Sequence, residues 1–231
     1  VLTAVPRFYN NLYSKMQINL SKQSYLKKFL FNKTVEIGTK VNQKAHISFL
    51  ETLLNLLLSL LVRRKIKTQF GGNLIAFVSG GGPLDNLIGN TLNALGIKTL
   101  QGYGLTETSP VVSCNPLTNI KVETVGTVLP NVEVKLAEDG EILVRGEILM
   151  IGYWNNKEAT DEIIKDGWLH TGDIGVFDSD NYLIITDRKK DIIVSSGGDN
   201  ISPSKLENLL TLDAKIEQAC LFGDNKSYIS A

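Results

Sequence analysis

The spacing of apolar residues changes twice along the chain. From Pro6 to Lys67 they recur three or four positions apart among long polar side chains, at Leu26, Phe29 and Leu30, then at Leu50, Leu53, Leu54, Leu57, Leu58 and Leu61. That period puts them on one face of a helix, so the first third of the chain is expected to be helical and poor in strands. Leu74 to Val78 is a short apolar run ended by Ser79-Gly80-Gly81-Gly82-Pro83. Helical spacing returns from Leu84 to Leu95, and Ile97 to Gln101 is a second short run. Strand, turn, helix, strand is the order of a parallel βαβ unit, whose ligands gather at the carboxyl ends of the strands.

After Pro110 the period shortens to two. Val132 to Leu136, Glu141 to Arg145, Ile174 to Phe177 and Tyr182 to Thr186 read as strands, separated by turns such as Glu138-Asp139-Gly140 and Asp178-Ser179-Asp180-Asn181. A small antiparallel sheet or barrel is expected. The charged string Asp187-Arg188-Lys189-Lys190-Asp191 breaks the pattern at a domain junction. A strand from Ile192 to Ser195 follows, then Gly197-Gly198, a helix opening near Ser202-Pro203 and covering Ser204 to Leu212, and a final strand from Ala219 to Phe222. The fold class is therefore α/β: a helical and βαβ part over 1–114, a β-rich part over 115–186, and from 187 to 231 a hinge with the beginning of a small α+β domain.

Composition narrows the picture. The 231 residues are 43% hydrophobic, enough for a packed core. The formal net charge of zero hides a split, because residues 1–67 carry twelve Lys or Arg against Glu36 and Glu51 alone. Such a basic segment suits a nucleic-acid or membrane surface, or solvated helices beside an acidic domain. It has no aromatic-interleaved recognition motif or zinc spacing, so nucleic acid is not expected as a partner. Cys114 and Cys220 stand far apart with no CxxC pair, which fits a reducing, cytoplasmic setting and no cysteine metal site. The longest apolar run, Ile47 to Val62, falls short of the roughly 20 residues of a spanning helix and contains Glu51 and Asn55. Val1 to Leu20 lacks the order of a signal peptide. The chain does not begin with Met, and its natural start is expected upstream.

Three strings carry candidate chemistry. Val78 to Leu84, VSGGGPL, sets glycines between a strand and a helix, where a backbone without side chains admits a flat ligand; a tight turn with no ligand reads equally well. Gln101 to Thr108, QGYGLTET, is more specific. Tyr103, fenced by Gly102 and Gly104, offers a face for a purine; Thr106 can bond a phosphate oxygen; Glu107 is a hard oxygen ligand suited to Mg²⁺. The alternative, Tyr103 as core and Glu107 as a solvated loop charge, stays open at this point. In Gly167 to Gly175, GWLHTGDIG, Asp173 is expected in a turn before a strand, where its carboxylate can accept from both hydroxyls of a ribose. His170 has no partner nucleophile nearby in sequence and reads as structural, as does Trp168.

QGYGLTET, GWLHTGDIG and TDRKKDIIVSSGGDNISPSKLE stand in the order and at the spacing of core motifs of the adenylate-forming superfamily, which the chain resembles. VPRFYNNLYSKM and FGDNKSYISA extend the likeness to both ends and to long-chain fatty acid:CoA ligases. The resemblance implies an incomplete adenylate-forming fold, running from the middle of the large AMP-binding domain (1–186) into a truncated small domain (187–231). It implies that Gly81, Gly82 and Pro83 border adenine and acyl groups, that Gln101, Gly102, Tyr103 and Gly104 are cofactor-binding, and that Tyr103 stacks on adenine. It also implies that Thr106 holds the α-phosphate, Glu107 ligates Mg²⁺, Asp173 with Arg188 binds the ribose, and Lys190 is the hinge of the small domain. The implied activity is AMP-forming activation of a fatty acid with ATP, Mg²⁺ and coenzyme A. Peripheral membrane association would follow from the lipid substrate and the basic helices.

The likeness has gaps. The phosphate loop TSGTTGxPKG and the late small-domain lysine are not in these residues, Lys226 lying too early, and this chain by itself is expected to be inactive. Asp199 in SSGGDN departs from the Lys or Glu common in relatives, which leaves the local coenzyme A contacts open. Two other readings compete: transfer to a carrier-protein phosphopantetheine, and a non-catalytic nucleotide- or acyl-binding protein.

Overall fold

The computed structural model describes residues 1–198, 200–211, 213, 215–216, 218–224 and 226–231, with the side chains of 200, 204, 205 and 208 left aside. Asp199, and Leu212 at the expected end of the last helix, lie outside the described residues. The chain divides into two compact units, Val1–Gly104 with Ser113–Thr127, and Leu105–Val112 with Val128–Ala231.

In the first unit the expected helices form: α1 (Pro6–Ser21), α2 (Tyr25–Asn42), α3 (Phe49–Leu58), a π-helical stretch Ser59–Arg63, and α4 (Arg64–Gln69). Pro6 opens α1 at a position where no amide donor is needed. Ser48 and Glu51 start α3 reciprocally, Glu51 N–H donating to Ser48 Oγ at 3.2 Å and Ser48 N–H to Glu51 Oε2 at 2.8 Å. The pattern did not suggest β1 (Leu2–Ala4), a three-residue strand visible only through its parallel partner β2 (Phe77–Ser79). The second strand thus forms at the end of the expected 74–78 run rather than along it. Helix α5 (Asn86–Ala94), capped by Asp85 on the Ile88 N–H at 2.9 Å, leads to β3 (Thr99–Tyr103), again parallel to β2. Antiparallel β4 (Ser113–Cys114) and then β5 (Thr127–Val128) complete the sheet order β1-β2-β3-β4-β5.

The core of this unit is Tyr9, Phe77, Leu84, Ile88, Leu92 and Ile97. Tyr9 and Phe77 meet edge to face with centroids 5.8 Å apart, a favourable aromatic geometry. Burial without a partner for its hydroxyl pushes the Tyr9 phenol up to about 12. Helix α2 crosses α5 where Gly38 faces Ala94, so closely that a Cβ on Gly38 would lie 2.6 Å from the Ala94 carbonyl oxygen.

The second unit is built on a curled antiparallel sheet in the order β10-β9-β7-β6: β6 (Val132–Leu136), β7 (Glu141–Gly146), β9 (Trp168–Phe177) and β10 (Leu183–Arg188). Short α6 (Lys157–Ile163) leads into β8 (Ile164–Lys165), which pairs with β9. Ile142, Val144, Leu169 and Leu183 are fully buried between these elements. Asp173, expected in a turn before a strand, sits inside β9 instead. Opposite β7, Glu141 pairs with Ile174 and Leu143 with His170, so β9 carries two extra residues in the Thr171–Asp173 stretch: a bulge within a longer strand. The other flank persists too, since Asp187 and Arg188, placed at a domain junction by their charge, are still paired on β10.

Beyond Arg188 the chain turns, with Asp191 and Ile192 N–H both donating to the Arg188 carbonyl. It continues as the hairpin β11 (Ile193–Val194) and β12 (Asn200–Ile201), then α7 (Pro203–Leu210). The expected strand from Ala219 to Phe222 is reduced to one bridge, Phe222 to Ser230, because four residues without a longer partner strand have nothing to pair with.

Candidate functional site

Two clusters of the singled-out residues form, one in each unit. In the first unit, β2 and β3 end side by side, and the turn Gly80–Pro83 leaves the carboxyl end of β2. Gly81 has φ +80°, in the left-handed region that a side chain disfavours, and a Cβ there would meet open space. A Cβ on Gly82 would lie 3.6 Å from Pro6 and one on Gly102 3.4 Å from the Ser113 carbonyl oxygen, no nearer than ordinary van der Waals contact. Gln101 is buried and both ends of its amide are engaged: Oε1 accepts from the Leu84 N–H at 2.9 Å, and Nε2 donates to the Val122 carbonyl. Its side chain thereby ties the start of the post-glycine segment to β3. Tyr103 closes β3 as a buried residue, 8% exposed, and Gly104 ends the first of the two segments of this unit.

The motif continues into the second unit. Thr106–Thr108 is a single 3₁₀ turn. The buried Thr108 hydroxyl fixes it, accepting from the Leu105 N–H at 2.9 Å and lying 2.8 Å from the Pro110 carbonyl. That leaves Thr106 exposed and Glu107 half-buried. The Glu107 carboxylate takes a hydrogen bond from the Tyr153 hydroxyl at 2.7 Å, and its backbone carbonyl takes one from the Met150 N–H at 2.8 Å.

Asp173 and Arg188 are brought together by cross-strand register: they are direct partners across β9 and β10, with Arg188 Nε 3.0 Å from Asp173 Oδ1. Asp173 is 3% exposed and Arg188 half to two-thirds exposed, so a buried carboxylate is reached by a cation that fronts on solvent. The bulge is held by Glu141, which no sequence motif marks. Its Oε1 accepts from the Gly172 N–H at 2.9 Å, while Oε2 lies 3.2 Å from both His170 Nδ1 and Lys189 Nζ. Burial pushes the Glu141 carboxyl up, but these donors together outweigh it and hold the group below the usual range. Lys189 is anchored twice, its side chain on Glu141 and Asp139 and its N–H on the Gly172 carbonyl at 2.8 Å. Lys190, one residue on, is exposed at the tip of the turn. Two cations lie over the Trp168 ring, Lys135 Nζ 4.1 Å and Arg145 Cζ 4.6 Å from its centre.

Among the described residues no three His, Cys, Asp or Glu converge, so no all-protein cage for a cation is present. Glu107 fits a different kind of cation site. One half-buried carboxylate with an oxygen left over suits Mg²⁺, which usually takes one or two carboxylates and completes its shell with phosphates and water.

A parallel βαβ layer with a glycine turn at its strand ends, together with a carboxylate-bearing antiparallel sheet, defines an α/β protein of the class that gathers ligands at strand ends. The chain belongs to the AMP-binding enzyme family, which residues 1–154 match. It is similar to the long-chain-fatty-acid–CoA ligase FadD15 of Mycobacterium tuberculosis, 37% identical over the whole chain and 39% of that protein. It is also similar to the long chain acyl-CoA synthetase 3 of Arabidopsis thaliana, 34% identical over the whole chain and 37% of the relative. Among solved structures, O-succinylbenzoate coenzyme A synthetase of Bacillus subtilis in complex with AMP superposes with a TM-score of 0.60 at 30% identity, covering 67% of this chain and 34% of that one. The chain thus spans about two fifths of the length of the curated relatives it matches.

Proposed function

We propose that the protein containing this chain activates a long-chain fatty acid with ATP and transfers it to coenzyme A, releasing AMP and pyrophosphate. The observation that carries this reading is the presentation of Glu107 and Thr106 on one rigid 3₁₀ turn, together with the relatives' own activity as their names give it. Thr106 would donate to the α-phosphate and Glu107 would hold Mg²⁺, which supplies charge stabilisation at the phosphate oxygens. Asp173 would accept from the ribose hydroxyls with Arg188 beside it. Stacking of adenine on Tyr103 requires that binding open one face of a residue now buried. Gly81 would let the nucleotide approach the backbone, while Gln101 holds the turn in place.

The fatty carboxylate oxygen forms the new bond to the α-phosphorus as the bond to pyrophosphate breaks, giving an acyl-adenylate. The coenzyme A thiol, losing its proton, then forms the thioester as the carbonyl–phosphate bond breaks and AMP leaves. Lys190 would be the hinge between the two steps, and the double anchorage of Lys189 would fix where rotation begins. The test is AMP formation from palmitate, ATP, Mg²⁺ and coenzyme A by the protein expressed from the full reading frame. Glu107→Ala is expected to lower turnover at least a hundredfold. Full activity in that variant removes Glu107 from the site, and no AMP from any fatty acid sinks the function. Replacing coenzyme A with a phosphopantetheinyl carrier protein distinguishes the acceptors.

For location, we propose peripheral association with a membrane. Large apolar side chains of α3 and the stretch after it, Leu53, Leu56, Leu57, Leu60 and Leu61, are exposed and lead into Arg64, Lys65 and Lys67. No described helix is long and apolar enough to cross a membrane.

A further inference from the structure

Glu107 is held in place by a residue 46 positions away. The Tyr153 hydroxyl donates to Oε1 of Glu107 at 2.7 Å, a short hydrogen bond to a carboxylate. Tyr153 is itself fixed. Its N–H donates to Thr160 Oγ1 at 2.9 Å, and that hydroxyl donates to the Asn156 carbonyl at 3.0 Å. The Asn156 side chain caps α6 by accepting from the Ala159 N–H at 3.0 Å. The Met150 N–H on the Glu107 carbonyl pins the other end of the same loop. Among the described residues no Lys or Arg pairs with the Glu107 carboxylate, so Tyr153 is its side-chain partner.

We infer that Tyr153 is a positioning residue for the metal-binding carboxylate. It occupies Oε1, fixes the side-chain torsions of Glu107 and leaves Oε2 to face the cation of Mg²⁺·ATP. The inference rests on Glu107 being the metal ligand. A glutamate with several rotatable bonds loses that freedom when it captures a cation; one already held by a phenol has lost it beforehand, and partners of this kind orient ligands and tune metal affinity.

The test uses the protein from the full reading frame and reads Mn²⁺ binding in the presence of ATP by electron paramagnetic resonance, beside the melting temperature and the Mg²⁺ concentration for half-maximal AMP formation. Tyr153→Phe, which deletes only the hydroxyl, is expected to weaken Mn²⁺ binding about tenfold. The Mg²⁺ requirement should rise in parallel at an unchanged melting temperature. In a Glu107→Gln background the same substitution should add nothing. Thr160→Val, which loosens the loop but keeps the phenol, should shift Mn²⁺ affinity in the same direction by less. Unchanged Mn²⁺ affinity in Tyr153→Phe overturns the inference, as does a fall in melting temperature with affinity intact or a further loss on top of Glu107→Gln. If Glu107→Gln itself binds Mn²⁺ as the parent does, the reading of Glu107 fails first, and the role of Tyr153 with it.

Discussion

At the residue scale, candidate side chains were legible wherever a motif is contiguous. Thr106 and Glu107 lie in one string, and their presentation follows from a local turn that Thr108 closes within its own three residues. Partners supplied from afar were not. Tyr153 reads as an ordinary loop aromatic, and Glu141 as one polar position in an alternating strand; only folding sets the first on Glu107 and the second under the β9 bulge. A glutamate at the inward-facing register of a strand was the one signal available for Glu141. Glu51 shows the same logic with a measurable consequence. A hydrogen bond from Lys40, then those of the Ser48 N–H and hydroxyl, hold its carboxyl at about 2, below the ordinary 4.5. A depressed acid contributes stability that is fully present above its unfolded value and lost as pH falls through its folded one. The start of α3 is therefore expected to loosen between about pH 4.5 and 2. A carboxyl-detected NMR titration of Glu51 should show a midpoint near 2; a midpoint near 4.5 would mean that the Lys40 contact does not persist in solution.

At the element scale, helices were read well because a 3.6-residue period is a local property. Strand ends were read less well, because a strand exists only with a partner. β1 needed β2, the strand expected from Ala219 found only a bridge, and β9 ran ten residues once β7, β8 and β10 lined it. Packing between elements was illegible, as at the α2–α5 crossing. Gly38 looks like a weak point in a helix, yet it lets Ala94 approach closely. Gly38→Ala would improve helix propensity and still destabilise the protein by about 1–3 kcal/mol through overpacking. Urea denaturation of the variant measures this, and a gain in stability would show that the two helices can part at little cost.

At the scale of the whole molecule, the basic segment 1–67 and the apolar stripe after Ser48 fall in the same unit. Co-sedimentation with vesicles should therefore increase with anionic lipid and weaken in salt, and Leu56→Ser with Leu60→Ser should reduce it. Binding indifferent to lipid charge would remove the membrane proposal.

The sequence by itself determined the family, the helical first third and the βαβ order, and it singled out Thr106, Glu107, Asp173 and Arg188 as candidates, because each is encoded in neighbouring residues. Tertiary structure decided the rest. It set Arg188 opposite Asp173 by register, placed Asp173 on a bulge within a strand, put Glu141 beneath that bulge and brought Tyr153 to the carboxylate of Glu107. Those are pairings between positions far apart in sequence, and no local period or motif carries the register that makes them.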